Sequence, residues 1–251
     1  MHDRLARILA AGALLVVAAG CWWALAETAA LMASMRGEGV LMTLMMLMMS
    51  PAAAGPYLAA AGAMWVAMMI AMMTPAIMPT LLVFARLEGR QQARTAQLAA
   101  FAAGYLVLWS GFGVAAAGIQ WLLHGANALH TAALATSPRA AGTIMIAAGL
   151  YQFTPFKNAC LSHCQSPLGF LVGHWRSGTL GAFRMGLAHG RYCLGCCAAL
   201  MAVMFAGGVM SIGTMAAVSG IILLERLLPA GRLASWGPGL ALLGWGVALV
   251  V

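Results

Sequence analysis

Hydrophobic positions fill this chain in long runs, and polar positions gather in short clusters between them. A helix crosses a bilayer with roughly 20 mostly apolar residues. Seven runs approach that length: residues 8–26, 57–85, 96–123, 139–156, 192–211, 214–228 and 236–251. The last, WGPGLALLGWGVALVV, is short for a span, so six crossings are the alternative. The pattern predicts an all-α fold, a polytopic transmembrane helix bundle of about seven spans, with residues 1–251 forming one integral membrane domain. Pro75 and Pro79 interrupt the second run and should break its hydrogen bonding, because neither carries an amide hydrogen.

Composition agrees with the pattern. The chain is 63% hydrophobic and 7% charged, with a mean hydropathy of +0.93, whereas soluble domains carry about 25% charged residues. The net charge of +8 raises the question of nucleic acid, but the placement of the basic residues excludes that partner. Arg4 and Arg7 precede the first run, and Arg86, Arg90 and Arg94 follow the second. Lys157, Arg176, Arg184 and Arg191 lie between the fourth and fifth, and Arg226 and Arg232 follow the sixth. An alternating path puts these eleven of the thirteen basic residues on one side, and Arg36 and Arg139 on the other. Cytoplasmic loops collect Lys and Arg, so the N-terminus is expected on the cytoplasmic side of the membrane. The charged start resembles a signal peptide, but its apolar stretch exceeds the usual ~7–15 residues, which favours a retained helix over a cleaved one.

Methionine changes the picture. Thirteen of the 20 methionines lie between Met32 and Met78. In LMTLMMLMMS, Met42, Met45, Met46 and Met49 share a helical face, within a methionine-rich outer segment at 32–56 whose apolar run, Val40 to Met49, is too short to span. In the second run, Met68, Met69, Met72 and Met73 form neighbouring pairs at helical spacing beside the two prolines. Methionine is a flexible packing residue. It is also a soft, neutral thioether ligand that suits Cu(I). Both readings stay open from spacing alone.

Cysteine and histidine narrow the chemistry. CLSHC holds Cys160, His163 and Cys164, and HGRYCLGCC holds His189, Cys193, Cys196 and Cys197. Both belong to a segment, 157–197, expected on the cytoplasmic side. Thiols there stay reduced, so these spacings suit a metal or redox pair better than structural disulfides. The two clusters are expected to converge on one ion. Cu(I) fits the methionines and cysteines together, and zinc fits the cysteines with His163 or His189. Packing by small residues is the plainer alternative for the second cluster. Cys21 reads as a buried apolar residue. Glu27, Glu38, Glu88 and Glu225 show no partner at catalytic spacing, and no phosphate-binding loop, dinucleotide glycine pattern or carboxylate pair is present. Enzyme activity is therefore not expected, with thiol redox chemistry through Cys193 and Cys196 the alternative.

The ordered motifs WVAMMIAMMTPAIMP, YQFTPFKNACLSHCQSPLGF, and GRYCLGCCAALM followed by LLERLLP resemble a bacterial family described as predicted metal-binding integral membrane proteins, a domain of unknown function. The resemblance covers about Met64 to Pro229. Met68, Met69, Met72, Met73, Pro75, Pro79 and the five clustered cysteines match the family's motifs, while Ala198 stands where the family often carries an aromatic. The resemblance implies metal binding in a membrane. The sequence therefore points to copper uptake, transfer or delivery, with the lipid bilayer and a metallochaperone or larger membrane complex as partners. A membrane subunit or assembly factor of a copper-dependent complex is the alternative role.

Overall fold

The computed structural model describes residues 2–34, 43, 46–51, 53–87, 91–130, 134–228 and 233–251. Among these, the fold is helical apart from one two-residue antiparallel pairing of β1 (Leu129–His130) with β2 (Ala135–Thr136). The helices are α1 (His2–Ser34), α2 (Ala54–Leu87), α3 (Gln91–Gly125), α4 (Pro138–Tyr151), α5 (Pro155–Gln165), α6 (Pro167–His174), α7 (Gly178–Gly207), α8 (Ile212–Leu227) and α9 (Leu233–Val250).

Five of them, α1, α2, α3, α7 and α9, are long and apolar enough to cross a membrane. This corrects the expectation of seven. The fourth and sixth runs form α4 and α8, of 14 and 16 residues. At a rise of 1.5 Å per residue these are about 21 and 24 Å long, short of the ~30 Å hydrocarbon layer. The last run, which sequence left in doubt, reaches 18 residues in α9.

The core is α2 against α3 and α7. Trp65 meets Gln120 and Phe205, whereas Thr80 meets His189 and Phe84 stacks on Phe101. So α2 runs antiparallel to both partners, and α3 and α7 run parallel to each other. Their backbones nearly touch. A side chain at Gly186 would collide with the Phe101 carbonyl, and one at Gly104 with that of Phe183.

Parallel neighbours require a return path, and α4, α5 and α6 supply it in three pieces. Tyr151 donates to the Gly195 carbonyl, Cys160 lies against Gly195, His163 stacks on Tyr192, Phe170 packs on His189, and the Arg176 amide reaches Met185. The path thus descends along α7 towards its N-terminus. Each piece begins at a proline, Pro138, Pro155 or Pro167, in the first turn, where its missing amide does no harm but where a preceding helix must stop. Ser137 and Thr154 cap the first two. The expected fourth helix ran through this second proline to residue 156; it ends instead at Tyr151.

Pro75 and Pro79 do not break α2, which runs continuously through both. Pro75 only orphans the carbonyl of Ala71, and the Trp22 indole of α1 fills that vacancy at 3.1 Å. A neighbouring helix restores a lost hydrogen bond, as membrane helices with proline require. Residues 71–74, 76 and 77 are buried, so this stretch faces protein.

Candidate metal centre

Half-way along α7, three thiols share one face. Cys193, Cys196 and Cys197 are fully buried, and their sulfurs lie within 4.8 Å of one another. Cys196 Sγ is 3.3 Å from Cys197 Sγ and donates to the Cys193 carbonyl at 3.1 Å. The fifth helix was expected to start at Tyr192; it starts at Gly178. The cysteines therefore sit in the middle of a long helix and not at its end.

The second cysteine segment comes to meet them. Cys164 of α5 is buried, with Sγ 3.9 Å from Cys196 Sγ. Cys160, one turn earlier, rests on α7 where Gly195 leaves room: a Cβ there would sit 2.6 Å from its sulfur. All five are free thiols, as is the half-buried Cys21. Ligands ~2.3 Å from a shared ion in tetrahedral array lie about 3.8 Å apart, so spacings of 3.3 and 3.9 Å suit a metal with little rearrangement.

Sequence reasoning missed the polar groups around these thiols. Arg226, read as a loop charge, is buried at the end of α8. Its Nη1 donates to the Ala76 carbonyl at 2.5 Å and its Nη2 to Cys164 Sγ at 3.4 Å. Tyr105 of α3 places its hydroxyl 3.1 Å from Cys193 Sγ. Lys157, also read as a loop charge, is buried in an ion pair with Glu225 at 2.7 Å and donates to Gln152 as well. Glu225 is thereby paired with Lys157, and Arg226 makes its direct contacts with the Ala76 carbonyl and Cys164 instead. The only sequence signal for these groups was the Glu225–Arg226 pair closing an apolar helix.

The remaining candidates fall into separate places. His189 is buried one turn from Cys193, with Nε2 3.3 Å from Thr80 Oγ1 and Nδ1 without a partner. His163 is half-buried and stacks on Tyr192, its centroid 4.1 Å away. Neither joins the thiol group. Met68, Met69, Met72 and Met73 are buried along α2. Met64 and Met48 line a cavity of about 130 Å³ with Thr28 and Leu25. Met72 lines another of about 100 Å³ with Trp22, Pro75, Ala76 and α8. Thioethers at 64, 68 and 72 thus rise in four-residue steps to Ala76, whose carbonyl holds Arg226. Met49 is exposed, and Met45 lies outside the described residues.

A family model described as PpoB2, copper chaperone, matches residues 62–249. The chain belongs to that family. The matched region holds all six methionines of α2, all five clustered cysteines and Arg226. No curated protein and no solved structure matches the chain.

Proposed function

We propose that this protein is a bacterial inner-membrane copper carrier that holds Cu(I) in the thiol group of α5 and α7 and passes it on. The observation that carries the reading is the meeting of Cys164 with Cys193, Cys196 and Cys197 around a buried arginine. Isolated buried charge is expensive and has to be compensated. Two thiolates around a monovalent ion carry one net negative charge, which one guanidinium cancels. Zinc with three thiolates matches that charge too, but structural zinc takes a fourth ligand, and a fourth thiolate from this group would leave two negative charges against one guanidinium; the family's cargo also favours copper.

The methionine steps of α2 supply neutral ligands for a soft ion moving between the outer segment and the cysteines. The five long apolar helices support a bilayer location, and exposed Arg86, Arg176 and Arg184, gathered where α2 ends and α7 begins, support a cytoplasmic N-terminus. The partner is a metallochaperone or a copper-requiring membrane complex that takes or supplies the ion. No catalytic step is needed.

Metal analysis and X-ray absorption of purified protein test this. Wild type should hold about one copper with sulfur ligation, and Cys193→Ser/Cys196→Ser should lose it. Unchanged copper content in that variant would end the proposal.

A further inference from the structure

Next to the thiol group, towards the N-terminal half of α7, lies a second set of metal-competent side chains. His163 Nδ1 is 2.9 Å from the Ala159 carbonyl, and His174 Nδ1 is 3.1 Å from the Phe170 carbonyl. A carbonyl only accepts, so each Nδ1 carries the hydrogen and each neutral ring keeps its lone pair on Nε2. Metal-binding histidines are oriented in this way, with one nitrogen pinned and the other presented. The ring centroids are 6.3 Å apart, a separation that an ion about 2 Å from each nitrogen bridges when both Nε2 atoms turn to face it in a near-linear array.

Tyr192 touches both members of this pair. Its ring lies flat on His163, and its hydroxyl donates to His174 Nε2 at a long 3.4 Å. Phe170 stacks on His174 and meets Tyr192 edge-on, so the three rings close around one another. Both histidines and Tyr192 are half-buried, and Ser162, Arg184 and Arg191 nearby are exposed. His163 adjoins Cys164 in sequence, and Tyr192 adjoins Cys193. The pair therefore stands between the protein surface and the thiols.

We infer that His163 and His174 form a second, weaker site for a soft monovalent cation, a transfer port through which Cu(I) reaches or leaves the cysteines, with Tyr192 as its latch. The route rests on the carrier reading above, but the site itself does not. Imidazole nitrogens bind Cu(I) without the charge of thiolates, so an ion at the port exchanges readily with soluble thiols. The latch hydroxyl has to leave His174 Nε2 before that nitrogen takes the ion.

The test is anaerobic Cu(I) titration of the full-length protein in detergent against a chromogenic Cu(I) chelator, with stopped-flow loading and X-ray absorption. Wild type should take one sulfur-held ion and a second, weaker one with nitrogen ligands. His163→Gln/His174→Gln should lose the second ion and load the first at least tenfold more slowly. Cys193→Ser/Cys196→Ser should lose the first and keep the second. Tyr192→Phe, which preserves the stacked ring, should bind the weak ion more tightly. A histidine variant with unchanged stoichiometry and loading rate overturns the port. A wild type showing only the nitrogen-held ion overturns the carrier reading and leaves the site standing.

Discussion

At the residue scale, the buried charges decide more than the cysteines do. Lys157, Glu225 and Arg226 are each less than a tenth exposed and occupy one interior region. Ionisable groups in such surroundings mark functional sites by default. Removing one member of a buried pair leaves the other uncompensated, which costs about 3–5 kcal/mol. Lys157→Met or Glu225→Gln should therefore lower stability by that order, read by thermal unfolding in detergent, and Lys157→Met/Glu225→Met should regain most of the loss. A double variant as unstable as the sum of the singles would show that the two side chains act separately. Arg226 predicts a different outcome. Arg226→Met should leave α5 and α7 in place yet weaken Cu(I) binding at least tenfold in chelator competition, because the thiolates lose their counter-charge. Arg226→Lys should recover part of the affinity, since Lys keeps the charge and loses the fork that grips both Ala76 and Cys164. Equal affinity in wild type and Arg226→Met would remove the arginine from the site.

At the element scale, much of this architecture was written in the apolar runs. All seven coincide with helices in the structure, because long apolar stretches have few other ways to satisfy their backbone. What the runs hid was length and depth. The Ser–Pro and Thr–Pro pairs at 137–138, 154–155 and 166–167 were readable as helix starts, but a hydropathy reading smooths over them and joined α4 to the start of α5. The cysteines were legible as a pair of clusters, since their spacing is local. Their true neighbours were not, because Arg226 and Tyr105 arrive from helices far away in sequence and only tertiary packing brings them in. Loop charge failed for the same reason: Lys157 and Arg226 counted as orientation signals while serving the interior. Thr154→Ala should show how much the break matters. It removes the cap of α5, costs about 1 kcal/mol, and loosens the helix that carries Cys164, so copper affinity should fall along with the melting temperature. A drop in stability with full affinity would detach α5 from the site.

At the scale of the whole molecule, the parallel alignment of α3 and α7 fixes opposite ends. Ser50 lies by the C-terminal end of α3, held there by the bond from Trp121 to Pro51, and Ser177 precedes α7. In cells, an impermeant thiol reagent should label Ser50→Cys from outside and leave Ser177→Cys unlabelled until the membrane is opened. Labelling of both from outside would overturn the topology. The order of the centre's parts along the chain also sets a timetable for its birth. A ribosome delivers Cys164 first, the three thiols of α7 next, and Arg226 only after α8 has been made. Until then the nascent protein holds a nest of sulfurs without the positive charge that, in the proposed carrier, steadies an ion among them. On the carrier reading proposed above, a chain still in synthesis is thus a poor scavenger of copper, and metallation waits until about nine tenths of the polypeptide has been made.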